Sequence, residues 1–145
     1  MLIYLDNCCY NRPFDDQLQL KIRLETQAKL QIQKDIVHGK HELIWSYVLD
    51  YENSKNPFME KREAIAPWRI LTVKIIFETD EIINFAEKLK AKGIKTFDAL
   101  HIACAVSANC DYYLTTDRKL LRSKINEINI ADPIQFIFEQ GELLC

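Results

Sequence analysis

Leu2-Ile3-Tyr4-Leu5-Asp6 opens the chain with four apolar residues stopped by a carboxylate. A short, uninterrupted apolar run reads as a buried strand. Far downstream the pattern returns: Asp111 to Thr115 reads as a strand, with Asp117 just beyond it. In open α/β sheets, ligands bind outside the carboxyl ends of the strands. Two strand-end acids on one sheet rim are therefore candidates for a shared site.

Working outward from the first strand, helix and strand signals alternate. Asp15 and Asp16 precede a Leu/Gln/Lys/Arg segment that runs to about Val37 and closes at Gly39, which is helix punctuation. Leu18, Leu20, Ile22 and Leu24 alternate as a strand would, but length and scarcity of β-branched residues favour helix. Leu43 to Trp45 reads as a strand, and Ser46 as the N-cap of a short helix through Glu52. A helical stretch follows Pro57 and breaks near Pro67, and Thr72 to Phe77 is β-branched enough for a strand. Thr79 caps a helix striped by Ile82, Ile83, Ala86 and Leu89 and ended by Gly93. Residues 97–108 form a helix rich in alanine, Arg118 to Lys124 another, Ile128 to Ala131 a last strand, and Pro133 opens a final helix. The alternation predicts one α/β domain over residues 1–145, with a mainly parallel sheet.

Composition narrows the class. At 145 residues, 48% hydrophobic, with three glycines and four prolines, the chain has the makings of a core and few flexible linkers. No apolar run reaches the roughly 18 residues needed to span a bilayer, and the N-terminus lacks the basic start of a signal peptide. A cytoplasmic protein without membrane association is expected. Five cysteines, with Cys8 and Cys9 adjacent and no C-x-x-C pair, do not make a disulfide framework, and Cys104 reads as a core residue. The net charge of −2 speaks against indiscriminate coating of nucleic acid, although two bound divalent cations would bring it to +2. Basic residues gather at Arg118, Lys119, Arg122 and Lys124 and at Lys88, Lys90, Lys92 and Lys95, where solvated helix faces are a sufficient explanation.

Each candidate acid also has an ordinary structural use. Asp6 can satisfy loop amides, Asp117 can cap the helix after it, Asp98 suits the first turn of its helix, and Glu52 can be a solvated surface residue. Together they say more. Four converging carboxylates repel one another unless cations lie between them, and hard oxygen ligands suit Mg²⁺ or Mn²⁺ rather than zinc. His38 and His41 flank Gly39 and are expected to be exposed. His101, three residues after Asp98, shares its helical face and is expected to pack against the site rather than ligate.

Four segments carry a resemblance. Ile3-Tyr4-Leu5-Asp6, Ser46-Tyr47-Val48-Leu49-Asp50-Tyr51-Glu52, Phe97-Asp98-Ala99-Leu100-His101-Ile102-Ala103 and Leu114-Thr115-Thr116-Asp117 resemble, in order, the four motifs of PIN domains, the fold of VapC-like toxins. The resemblance implies a three-layer α/β/α fold and a Mg²⁺- or Mn²⁺-dependent endoribonuclease. Its catalytic and metal-holding residues would be Asp6, Glu52, Asp98 and Asp117, with Thr115, Ser46 and Asn7 supporting them and Arg12, Arg118 and Lys119 as substrate contacts. It also implies a small antitoxin partner and a homodimer. Two departures stand out. The family asparagine two places after the first aspartate is Cys8 here, with Asn7, Asn11 and Arg12 as possible substitutes. The second motif offers both Asp50 and Glu52; about 200° apart on a helix, only one can face the site, and the spacing favours Glu52. Cys8 and Cys9 lie beside the site without an evident base, so covalent catalysis is not expected. Tyr10 and Phe14 are candidates to stack on bases or to fill the rim. Two further classes remain: a non-catalytic PIN-like module binding RNA or protein, and an aspartyl phosphotransferase using Asp6.

Overall fold

The computed structural model describes residues 1–141. Leu2–Leu5 forms β1, and Ile3, Tyr4 and Leu5 have no exposed surface. Such complete burial requires neighbours on both edges and both faces. β1 accordingly sits at the centre of a five-stranded sheet of order β3-β2-β1-β4-β5, with β2 at Glu42–Ser46, β3 at Lys74–Ile76, β4 at Tyr112–Leu114 and β5 at Asn129–Ala131. Every pairing is parallel. Parallel neighbours need crossover connections, which the helices supply.

The described helices are α1 (Asn7–Asn11), α2 (Leu20–Val37), α3 (Tyr47–Ser54), α4 (Met59–Ile65), α5 (Asp80–Ala91), α6 (Thr96–Ser107), α7 (Arg118–Leu121) and α8 (Pro133–Glu139). α2 packs on α8, while α6 packs on α5, on α3 and on the central strands. The result is the expected three-layer α/β/α arrangement on a parallel sheet. Caps fix where helices begin: Ser46 accepts from the Leu49 amide at 3.3 Å, Thr79 from Ile82 at 3.2 Å, and Asp132 from Gln135 at 2.7 Å. Gly39 and Gly93 close α2 and α5 with φ of 81° and 95°, the left-handed conformation that side chains disfavour.

Several details depart from the sequence reading. The long second helix starts at Leu20, and the alternating leucines that competed for a strand are largely outside the core: Leu18 is 91% exposed and Leu20 59%. The third strand is only Lys74–Ile76, and α7 ends at Leu121 rather than near Lys124. The short helix α1 and the 3₁₀ turn Arg12–Phe14 were not anticipated. His41, expected to be exposed, is buried with its ring 5.2 Å from Phe136 in an edge-on contact. Among the described residues no helix is long and apolar enough to cross a membrane.

Candidate active site

The carboxyl ends of β1 and β4 lie side by side because Leu5 pairs with Leu114. The Asp6 amide continues the ladder, donating to the Leu114 carbonyl at 2.9 Å, and Thr115 does the same to Ala131 at 3.0 Å. Asp6 and Thr115 therefore leave the sheet as neighbours. The Thr115 hydroxyl donates to Asp6 Oδ2 at 2.9 Å and accepts the Asp117 amide at 3.1 Å, so one buried hydroxyl ties the two strand-end acids together. Asp6 also caps α1, its Oδ1 accepting the Asn7 amide at 2.7 Å. Asp117 caps α7 through the amides of Lys119 at 2.8 Å and Leu120 at 3.3 Å.

Glu52 arrives from the other side. β2 lies next to β1, and its last residue, Ser46, launches α3 toward the same rim. Glu52 Oε1 is hydrogen-bonded to His101 Nε2. The other ring nitrogen of His101 lies 2.5 Å from the Tyr4 hydroxyl, which in turn is 2.6 Å from Ser46 Oγ. Burial raises the Tyr4 pKa far above its ordinary value, so this hydroxyl stays a donor throughout. The chain Ser46–Tyr4–His101–Glu52 thus crosses β2, β1, α6 and α3 and fixes Glu52 from within the core. His101 Nε2 is also 4.0 Å from Asp6 Oδ1, which puts Glu52 and Asp6 around a common imidazole. Asp50 faces away, bonded to the Trp45 indole at 2.8 Å and to Arg69 at 3.1 Å.

Asp98, in the first turn of α6, completes the set. Its pKa is raised to about 6, first by burial, then by the charges of Asp6 and Asp117; His101 opposes the rise and Glu52 adds to it. All four acids therefore share one electrostatic neighbourhood. Among the described residues no donor bonds the Asp98 carboxylate. It carries unrelieved negative charge, the condition that a hard divalent cation relieves. The donor set suits Mg²⁺ or Mn²⁺ in kind, yet among the described residues no three His, Cys, Asp or Glu groups stand ready-gathered around one ion position.

The supporting residues fall out unevenly. Cys8 itself occupies the place in question after the first aspartate: its thiol lies 3.5 Å from both Asp6 Oδ2 and Thr115 Oγ1 and accepts the Thr116 amide at 3.4 Å. Asn7 touches Asp6 through its backbone, and Asn11 bonds the Asn7 carbonyl and Asn56. Arg12, expected to contact substrate, is instead held by Asp15 at 2.9 Å and by the buried Glu25 at 3.1 Å. Tyr10 is a core residue packed edge-on to Trp45, whereas Phe14 is 40% exposed beneath the Lys61 ammonium. Lys119 lines a cavity beside Asp98 and Asp117, and Arg118 is exposed outside it. Sequence reasoning assigned Tyr4 only to the strand; an apolar run interrupted by one hydroxyl was the available signal.

This topology has counterparts among solved structures. A chain of the crystal structure of VapBC2 from Rickettsia felis bound to a DNA fragment from their promoter superposes with a TM-score of 0.59, at 17% identity, over 91% of this chain and 98% of that one. The fold is that of a PIN domain. A chain of VapBC-1 from nontypeable Haemophilus influenzae gives 0.56 at 16% identity, over 92% and 98%. No protein-family model and no curated protein matches the sequence. The likeness is one of PIN architecture, and at this identity the chemistry must be argued from the side chains.

Proposed function

We propose that this chain is a divalent-metal-dependent endoribonuclease, the toxin of a toxin–antitoxin pair. The observation that carries the reading is the convergence of Asp6, Glu52, Asp98 and Asp117 on one electrostatic neighbourhood at the sheet's carboxyl rim, with Asp98 pushed to about 6. Asp6, Asp98 and Asp117 would hold the cation, Mg²⁺ or Mn²⁺. When bound, such an ion acidifies water and offsets charge on phosphoryl oxygens. Thr115 keeps Asp6 and the Asp117 backbone in register. Glu52, steadied by His101 at Oε1, would orient the attacking water through its other carboxylate oxygen. The relatives in fold were solved as VapBC complexes, which supports a small antitoxin as partner; a homodimer and a cytoplasmic location belong to the same reading.

The test is cleavage of single-stranded RNA with Mg²⁺ or Mn²⁺ and with EDTA. Cleavage should require the metal and should vanish in Asp6→Asn and Asp98→Asn. Cutting that persists in EDTA, or in both variants, refutes the reading. A second reading, a PIN-like module that binds RNA or protein without cutting, draws on Cys8 in the first motif and on the absence of a ready-gathered ion position among the described residues. Metal-dependent cleavage lost in the two variants excludes it. The aspartyl phosphotransferase has less support, since both oxygens of Asp6 are engaged by Asn7, Thr115 and Cys8.

A further inference from the structure

The two basic clusters, some thirty residues apart in the chain, meet beside the acids. A cavity of about 220 Å³ is lined by Lys92, Lys95, Lys119 and Arg122, with Asp98 and Asp117 in the same wall. Local rules produce this. α5 ends at Ala91 and Gly93 turns the chain, so Lys92 and Lys95 emerge around that turn. Lys119 and Arg122 are three apart at α7 and share its face. Lys90 pairs instead with Glu87 at 3.2 Å, and Lys88 is exposed outside the cavity.

None of the four lining cations forms an ion pair among the described residues. Four cations outnumber the two carboxylates in this wall and are paired with neither, and an anion between them offsets their mutual repulsion. α6 opens at the same place. Its N-cap is Lys95, which offers no side-chain acceptor to the first amides of a twelve-residue helix. Free amides at a helix start, cations around them and a concave wall together describe a receptor for a phosphate group.

We propose that this cavity is a phosphate subsite: it holds a phosphodiester adjoining the one positioned at the four acids and so sets the register of a single RNA strand. The subsite rests on the nuclease reading for its purpose, but its anion chemistry can be tested apart from cleavage. The Asp6→Asn protein, expected not to cut, is titrated in Mg²⁺ against a fluorescent single-stranded oligoribonucleotide over a salt series. Lys92→Gln combined with Lys119→Gln should weaken binding roughly tenfold near 0.15 M salt and flatten the log Kd–log salt slope by about 1.4, two contacts at about 0.7 each. Lys88→Gln with Lys90→Gln, the control pair on α5, should change neither. Matching melting temperatures establish that each variant is folded.

An unchanged slope in the Lys92/Lys119 pair, or an equal loss in the control pair, overturns the subsite in favour of a diffuse surface field. A polyglutamate peptide whose binding depends on the four cations while RNA binding does not would assign the cavity to an acidic polypeptide and overturn it likewise. These outcomes leave the cleavage reading standing. That reading falls separately, if Asp6→Asn and Asp98→Asn still cut RNA.

Discussion

Asp98→Asn should make the metal-free protein more stable while removing its use for metal. The Asp98 carboxyl is raised from 3.8 to about 6 in the fold. A raised carboxyl pKa means that the charged form is disfavoured on folding. The penalty is full above pH 6, fades as pH falls toward 3.8, and is absent below that. Two units are worth about 3 kcal/mol in free energy. Asp98 is only partly buried, and solvent screening cuts the figure to about 1.5 kcal/mol. Against it stands the favourable field of α6 on a first-turn carboxylate, about 0.5 kcal/mol, which asparagine loses. The net gain is about 1 kcal/mol, or about 3 °C in Tm for a chain of this length. Thermal unfolding in EDTA at pH 8 and pH 4 measures it: the variant should melt higher at pH 8, and the difference should close by pH 4. Added Mg²⁺ or Mn²⁺ should raise the wild-type Tm and move the variant much less. A variant that melts at or below wild type at pH 8 in EDTA would refute the argument, because neither the burial of the Asp98 charge nor its crowding by Asp6 and Asp117 would then cost stability.

Three other outcomes are expected. Thr115→Val should cost about 1–3 kcal/mol in urea unfolding, since it leaves the Asp117 amide unpaired and removes a donor from Asp6, and RNA cleavage should fall with it. Glu52→Gln should slow cleavage by about 10²–10⁴-fold while Asp50→Asn leaves it intact, a contrast read in single-turnover assays; equal losses would place the wrong face of α3 at the site. Lys29 is 4% exposed between the rings of Tyr10 and Trp68, and desolvation lowers its pKa to about 8. The folded state therefore disfavours the charged amine, and Lys29→Met should raise the Tm at pH 7, with the advantage shrinking as pH rises from 8 toward 10.5.

What could be read in advance followed from local chemistry. Apolar runs ended by acids gave β1 and the placement of Asp6, and Ser46, Thr79 and Gly93 mark helix ends wherever they occur. Helical geometry allowed only one of Asp50 and Glu52 to face the site, and the spacing from Ser46 favoured Glu52. What stayed hidden depended on distant partners. His41 is buried because α8 brings Phe136 onto it, and nothing near Gly39 announces that. Arg12 has Asp15 three residues away, yet its other partner is a buried glutamate that only the packing of α2 presents to it. α1 is five residues long, too short for periodicity, and its start is visible only once Asp6 is seen to cap it. Which lysines line the cavity turned on the geometry of the Gly93 turn rather than on their clustering in the sequence.

The ordinary and the functional uses of these acids are one arrangement rather than rivals. In a parallel α/β sheet every strand on this rim is followed by a helix that starts there, so strand-end acids meet helix N-termini. Asp6 and Asp117 each accept backbone amides of the helix they cap, and the peptide dipoles behind those amides favour negative charge. Glu52, six residues beyond the end of β2, lacks that support and is held by His101. Asp98 alone of the four has no bonded donor among the described residues, and burial and its neighbours drive its pKa to about 6. The acid most in conflict with the metal-free fold is thus the one whose charge a cation would relieve most. Binding should therefore tie proton release to Asp98: metal affinity should rise with pH through 6 and level off above it, and in Asp98→Asn that rise should be lost.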